Sequence, residues 1–251
     1  MKKRIRVLAA LLLVAAATHA LAVAPDEARE RRWAEEVVPQ LVIGDAVWLA
    51  TPHHARVLAL FAKPEHETHD AVIVVHGLGV HPDWNLIGVL RTELADLGFA
   101  TLSVQMPVLA ADAPRDGYRF LFPDAFERLD SALAWLHERG YTNVAVVSHS
   151  LGSAMVDEWL ASVQPRVDAW VPIGLTVDFA KPPTLPVVDV VAEHDLPEAL
   201  QFAKVRMRSL RHDACSASLV FAGTDHYFDR AAAALARRIA PFLARALAHR
   251  C

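Results

Sequence analysis

The chain has 251 residues and a mass of 27.5 kDa; 54% of its residues are hydrophobic and 22% charged, which suffices for a buried core and excludes a disordered chain. Its formal charge is −4, but Lys2, Lys3, Arg4 and Arg6 stand in the first 24 residues without any acid, so the remainder carries 21 basic against 29 acidic side chains, or −8. A mildly acidic body lacks the basic footprint that nucleic acid requires, and that class is excluded.

Residues 2–6 are basic, residues 7–17 are an uncharged apolar run, and small residues follow at Ala20, Ala22 and Ala24. This is the layout of a secretory signal peptide over 1–24, with cleavage expected after Ala22 or Ala24 and a periplasmic or secreted product. The competing reading, an uncleaved anchor, has 18 residues interrupted by Thr18 and His19, marginal for a span. No Cys follows the cut, so a lipid anchor is not expected, nor is a stable membrane span after processing.

Residues 25–40 are charged and read as a short helix or loose lead-in. Short β-like runs follow at 41–43, 46–50 and 56–62, the last two flanking a Thr51-Pro52-His53-His54 turn, as in a hairpin. Residues 63–70 form a polar loop. Its His66-Glu67-Thr68-His69 lacks the spacing and the helix of a zinc motif. The run AVIVV at 71–75 reads as a strand buried on both faces. Helical spacing over 84–97 stops at Gly98, and a strand follows at 100–104. An amphipathic helix over 124–139 ends at Gly140. Strand 144–147, helix 151–163, strand 167–173, strand 186–191, helix 197–211, strand 218–221 and a helical tail from Asp229 complete the chain. This alternation predicts a mostly parallel sheet covered by helices on both faces, with an antiparallel edge from the hairpin, in one domain over 41–251.

In such folds ligands sit at the carboxyl ends of the strands. After 144–147 comes Ser148-His149-Ser150-Leu151-Gly152 and then a helix, a G-x-S-x-G pattern with Ser for the first Gly. A sharp strand-to-helix turn needs small residues two before and two after the nucleophile, which makes Ser150 the candidate. The bland alternative is a helix N-cap, a role open to Ser150 or Ser148. A serine hydroxyl needs a neighbouring base, and His226 follows the last strand. The base needs an acid to orient it. Asp195 follows strand 186–191 and suits the chain order Ser, Asp, His; Asp178 and Glu193 remain as competitors, and an N-cap is the structural alternative for Asp195. The oxyanion of a tetrahedral intermediate needs backbone donors: the N–H of Leu151, and that of Leu78 in His76-Gly77-Leu78-Gly79.

With these motifs in place, the chain from about residue 41 onward resembles an α/β-hydrolase. Residues 71–79 resemble that family's strand and oxyanion loop, 148–152 its nucleophile elbow, 186–195 its acid segment (with Ala192 where Gly is usual), and 223–226 its terminal G-x-x-H. Residues 81–84 and 100–105 resemble an uncharacterised bacterial hydrolase-like subfamily. The resemblance implies the α/β-hydrolase fold and a Ser150-Asp195-His226 triad that uses no cofactor or metal. Residues 174–185 are too few for a helical cap, so the site is expected to be open. Substrate contacts are expected from His76 and Gly77, from Trp84, and from Phe120 and Phe122 in the 106–123 loop. His76 can instead pack beneath the oxyanion loop, and the aromatics of the 106–123 loop can pack on the following helix.

Cys215 precedes the last strand and Cys251 ends the last helix, so both fall at one end of the sheet, and an oxidising compartment would favour their pairing. The lengths match imperfectly: about 23 Å of strand against about 33 Å of helical tail, with Pro241 as a bend. The expected activity is that of an exported, monomeric serine hydrolase acting on a small-molecule or lipid-like acyl substrate. The alternative is a catalytically weak or inactive envelope protein that keeps the fold for binding.

Overall fold

The structure is a computed structural model that describes residues 24–210 and 214–251. The expected leader therefore lies, apart from Ala24, outside the described residues. Among the described residues eight strands form one sheet: β1 (Asp45–Leu49), β2 (Val57–Ala62), β3 (Asp70–Val75), β4 (Ala100–Val104), β5 (Asn143–His149), β6 (Ala169–Ile173), β7 (Val188–His194) and β8 (Ala217–Asp225). Their spatial order is β1-β2-β4-β3-β5-β6-β7-β8. β1 pairs antiparallel with β2, with Leu49 opposite Val57 across the Thr51–His54 turn, and β2 antiparallel with β4. All later pairings are parallel.

The helices are α1 (Glu27–Val37), α2 (Asn85–Asp96), α3 (Phe122–His137), α4 (Leu151–Ser162), α5 (Pro197–Arg206) and α6 (Ala232–Leu247). Alternation along each strand divides the core into two layers. Ala71, Ile73 and Val75 of β3 pack with Leu129, Leu133 and Trp159 of α3 and α4. Val72 and Val74 pack on the other face with Leu90 and Leu94 of α2 and Leu243 and Leu247 of α6. Both faces of β3 are thus covered, which is why its sequence is a continuous apolar run rather than an alternating one. No helix among the described residues is long and apolar enough to cross a membrane.

Two expectations change, and one choice between readings is decided. Residues 41–43 form no strand: Val42 is 92% exposed and no described strand pairs with this segment, whose Ile43 O accepts from Arg91 Nη1 (2.7 Å) instead. Of the two readings of residues 25–40, the short helix holds and the loose lead-in does not. Asp26 caps α1, its own N–H donates to Val108 O (2.7 Å), and Ala34 is buried with Leu58 and Leu60 of β2. The last two strands run further than expected, β7 to His194 and β8 to Asp225, so the residues after them begin at the rim of the sheet.

The longer β8 also removes the mismatch between Cys215 and Cys251. Nine residues of strand span about 30 Å, and the sixteen-residue α6 spans about 24 Å, leaving its cap turns to close the difference. The structure joins the two cysteines as a disulfide with Cα atoms 5.3 Å apart.

Candidate active site

Ser150 is the turn between β5 and α4. Its backbone has φ 54° and ψ −122°, a region that costs a non-glycine residue roughly 1–3 kcal/mol and persists only where the surroundings impose it. They do so through a hydrogen bond from Ser150 N–H to Ile173 O (2.8 Å) and through close packing at Gly152, where an added Cβ would lie 2.2 Å from His76 O. Ser150 makes no side-chain cap, so its hydroxyl is left for other work. Ser148 does not cap α4 either. Its buried Oγ accepts from Trp170 Nε1 (2.9 Å) and donates to Ser153 Oγ (3.0 Å). The Ser that replaces the usual first Gly thus satisfies an indole N–H that would otherwise be buried without a partner.

His226 follows β8 directly and is 6% exposed. Ser150 Oγ donates to its Nε2 (2.8 Å), and its Nδ1 donates to Asp195 Oδ1 (2.5 Å). Asp195 also accepts the N–H of Ala192 at Oδ2 (2.9 Å) and that of Leu196 at Oδ1 (2.8 Å). Burial pushes the Asp195 carboxyl up, but the hydrogen bonds from His226 and the two backbone donors outweigh it and hold the group below the usual carboxylate range. The competitors lie elsewhere: Asp178 accepts from Phe179 N–H, and the exposed Glu193 accepts from Gly223 N–H.

Two further residues fix the histidine. His149, the variable residue of the elbow, donates from Nε2 to the backbone O of His226 (2.8 Å), and the two rings meet at a tilt of 41° with centroids 4.8 Å apart. Burial lowers the pKa of His149 to about 4, assisted by the neighbouring His226, so it is neutral at pH 7. Gly174, just past β6, has φ +59°, and an added Cβ would lie 2.9 Å from Nδ1 and Cε1 of His226. Sequence reasoning missed Gly174. Its only signal was a glycine directly after a strand at the carboxyl rim.

The loop after β3 closes on Ser150: a Cβ on Gly77 would lie 3.1 Å from that of Ser150. His76 is 1% exposed, so it supports the loop and does not contact substrate, the second of its two readings. Its Nε2 accepts from Met106 N–H (2.9 Å) and its Nδ1 donates to Gly77 O (2.9 Å). Burial drives its pKa to about 3, which keeps the ring neutral and this donor–acceptor pattern intact. Because the peptide unit is planar and trans, drawing Gly77 O inward points the N–H of Leu78 the opposite way. Among the described residues, neither Leu78 N–H nor Leu151 N–H donates to the protein.

The expected substrate contacts divide. Trp84 is 51% exposed and packs edge-on against His81, and Phe120 is 69% exposed. Phe122 is a correction: it begins α3, is buried in the core and cannot contact substrate, because the helix, with Pro123 in its first turn, starts two residues earlier than expected and turns that ring inward. Residues 174–187 join β6 to β7 without a helix, so no cap covers the site. That connection is held by the buried Arg206, which pairs with Asp189 (2.9 Å) and donates to the carbonyls of Leu175 and Val177. Among the described residues no group of three or more His, Cys, Asp or Glu could hold a metal ion.

A family model described as "Protein of unknown function (DUF3530)" matches residues 7–121, which include both stretches, 81–84 and 100–105. No curated protein matches the chain. Among solved structures, an alpha-beta serine hydrolase homologue from Coxiella burnetii aligns at TM-score 0.63 and 14% identity, covering 80% of this chain and 98% of that one. Est1E from Butyrivibrio proteoclasticus aligns at TM-score 0.64 and 14% identity, covering 81% and 99%. A protein from Xanthomonas campestris described as an α/β serine hydrolase without lid aligns at TM-score 0.60 and 16% identity, covering 82% and 95%. At these identities the likeness establishes the fold, and the chain has the α/β-hydrolase fold without a cap domain.

Proposed function

We propose that this chain is an exported serine hydrolase that cleaves carboxylic esters or related acyl bonds. The observation that carries the reading is the unbroken series of hydrogen bonds from Ser150 through His226 to Asp195, set on a strained elbow beside two unengaged N–H groups. Ser150 Oγ attacks the acyl carbon as His226 Nε2 takes its proton, and the tetrahedral oxyanion accepts from Leu78 and Leu151. Collapse expels the alcohol, which leaves with the proton from His226. Water, deprotonated by His226, then attacks the acyl-enzyme and releases the acid, restoring Ser150. Asp195 holds the imidazole in the tautomer this requires and stabilises its cationic form. No step needs a cofactor.

The open, uncapped centre with exposed Trp84 and Phe120 favours a small-molecule or lipid-like acyl substrate. Est1E has been solved with ferulic acid bound, which makes aromatic acyl esters a sensible part of any substrate panel. Export is supported by the leader layout of residues 1–24 and by the pairing of Cys215 with Cys251. A fluorophosphonate probe tests the reading. Labelling of the wild type that disappears in Ser150→Ala supports it; a folded wild type that takes no label is instead a binding protein on a hydrolase fold.

A further inference from the structure

We propose that Arg29 of α1 is a positioning residue for the oxyanion loop, which makes the N-terminal helix a working part of the hydrolytic centre; the inference rests on reading Ser150 as nucleophile and Leu78 N–H as oxyanion donor. The guanidinium of Arg29 reaches two loops at once. Nη1 donates to Leu109 O (2.8 Å) in the segment after β4, and Nη2 donates to Gly79 O (2.9 Å), one residue past Leu78. Neither carbonyl belongs to the sheet, and the fork joins the two loops beside the bonds that Met106 N–H makes to His76 Nε2 (2.9 Å) and Gln105 Nε2 to Val80 O (3.5 Å).

The anchor is itself held rigidly. Trp33, one turn further along α1, lies under the guanidinium at 4.5 Å from ring centroid to Cζ. Asp26 Oδ1 accepts the backbone N–H of Arg29 (2.9 Å), and the Asp26 N–H donates to Val108 O (2.7 Å). Glu30 accepts from Val108 N–H (3.2 Å) and from Nη1 of the fully buried Arg128 (2.8 Å), whose same nitrogen donates to Gln105 O (3.0 Å). Two side chains of α1, Arg29 and Glu30, and the backbone N–H of its cap Asp26 therefore grip the segment after β4, and Arg29 passes that grip to Gly79.

The loop needs such a grip. Gly79 has φ +67° and no side chain, so the turn over 78–80 can pivot there unless its carbonyl is tied. His76 fixes the Gly77–Leu78 peptide from inside the fold, and Arg29 fixes the next carbonyl but one from outside. Leu78 N–H lies between these two ties. An oxyanion donor acts only when held about 2.7–3.1 Å from the developing charge, so slack of a few tenths of an ångström weakens the transition state without loosening ground-state binding. Arginine suits the position because two acceptors in different loops need two donors in a fixed fork. Lysine carries its three donors on a single nitrogen, so it lacks the two separated nitrogens with which the fork spans the two carbonyls.

The test compares wild type, Arg29→Ala and Arg29→Lys as purified full-length protein, after fluorophosphonate titration has counted the competent sites of each. With a p-nitrophenyl ester, kcat per site is expected to fall about 10- to 100-fold in Arg29→Ala, less than the 10²–10³ for losing a donor outright. KM is expected to stay within about twofold, and Arg29→Lys to recover only part of the rate. A boronic acid that forms a tetrahedral adduct on Ser150 should lose affinity in parallel with kcat/KM, whereas loss of stability alone would leave the rate per titrated site unchanged. Wild-type kcat in Arg29→Ala, or a lowered kcat with undiminished boronate affinity, overturns the inference. If Arg29→Ala yields no folded protein, the same criteria apply to Arg29→Lys, for which wild-type kcat and boronate affinity overturn it. Failure of the wild type to label at Ser150 overturns the underlying reading as well, and shows itself before any Arg29 variant is assayed.

Discussion

Gly174→Ala tests whether the rim of β6 sets the histidine. The new Cβ would sit 2.9 Å from Nδ1 and Cε1 of His226 and 3.4 Å from Asp195 Oδ2, in a backbone conformation at φ +59°. The left-handed backbone costs an alanine about 1 kcal/mol. The contact adds to this, because the ring cannot retreat freely. Its Nδ1 is hydrogen-bonded to Asp195, its backbone carbonyl is held by His149, and its ring packs at a tilt against that imidazole. A normal carbon–nitrogen contact requires a shift of roughly 0.5 Å, which stretches the 2.8 Å bond from Ser150 beyond the range in which a general base works. Misplacement on the order of 1 Å costs up to about 10²-fold, so kcat/KM should fall about 10- to 100-fold. Stability should fall by roughly 1–3 kcal/mol, a Tm loss of several degrees for a chain of this size. The second-order rate of fluorophosphonate labelling, read beside thermal unfolding by circular dichroism, measures both. An unchanged labelling rate in folded Gly174→Ala would refute the argument that this glycine makes room for His226.

Ser148→Ala should leave the Trp170 indole N–H buried without a partner and cost about 1–3 kcal/mol in Tm-derived stability, with the labelling rate of Ser150 little changed. Asp157 of α4 has its pKa raised to about 7, chiefly by burial, against the hydrogen bond from Ala180 N–H. Its folded pKa lies above the unfolded value of 3.8, so the folded state keeps a proton that the unfolded state releases. Stability from this group is present below about pH 4 and declines by up to about 1.4 kcal/mol per pH unit towards pH 7. Asp157→Asn should therefore gain Tm over wild type between pH 5 and 8, and a constant Tm difference across that range would count against the assignment. The Cys215–Cys251 bond closes a loop with a sequence separation of 36, which constrains the unfolded chain by roughly 4 kcal/mol. Unreduced, denatured protein should titrate no free thiol, and reduction should lower Tm.

Much of the fold was readable because the local signals agreed with one another. The apolar run at 71–75, the amphipathic helices and the glycines that end them each pointed to a helix-covered parallel sheet, and the hairpin supplied its antiparallel edge. The candidate site was readable for a related reason: Ser150, Asp195 and His226 each stand directly after a strand, where the fold leaves side chains at one rim. What failed was local as well. Residues 41–43 have strand-like composition, but no described strand lies beside them, and pairing is a property of the partner. Phe122 has the character of a pocket wall, and only the start of α3 turns it into the core.

The amino-acid sequence by itself determined the layered sheet, the order of Ser150, Asp195 and His226 along the chain, and the shortness of the β6–β7 connection that leaves the site uncapped. Periodicity and loop length express those directly. Tertiary structure alone decided that Asp195 and not Asp178 meets His226, that Ser148 answers the indole of Trp170, that Gly174 makes space for an imidazole 52 positions away, and that Arg29 grips Gly79. Each of these is a contact between segments far apart in the chain, fixed by close packing of several elements at once, and no spacing within a single segment encodes it.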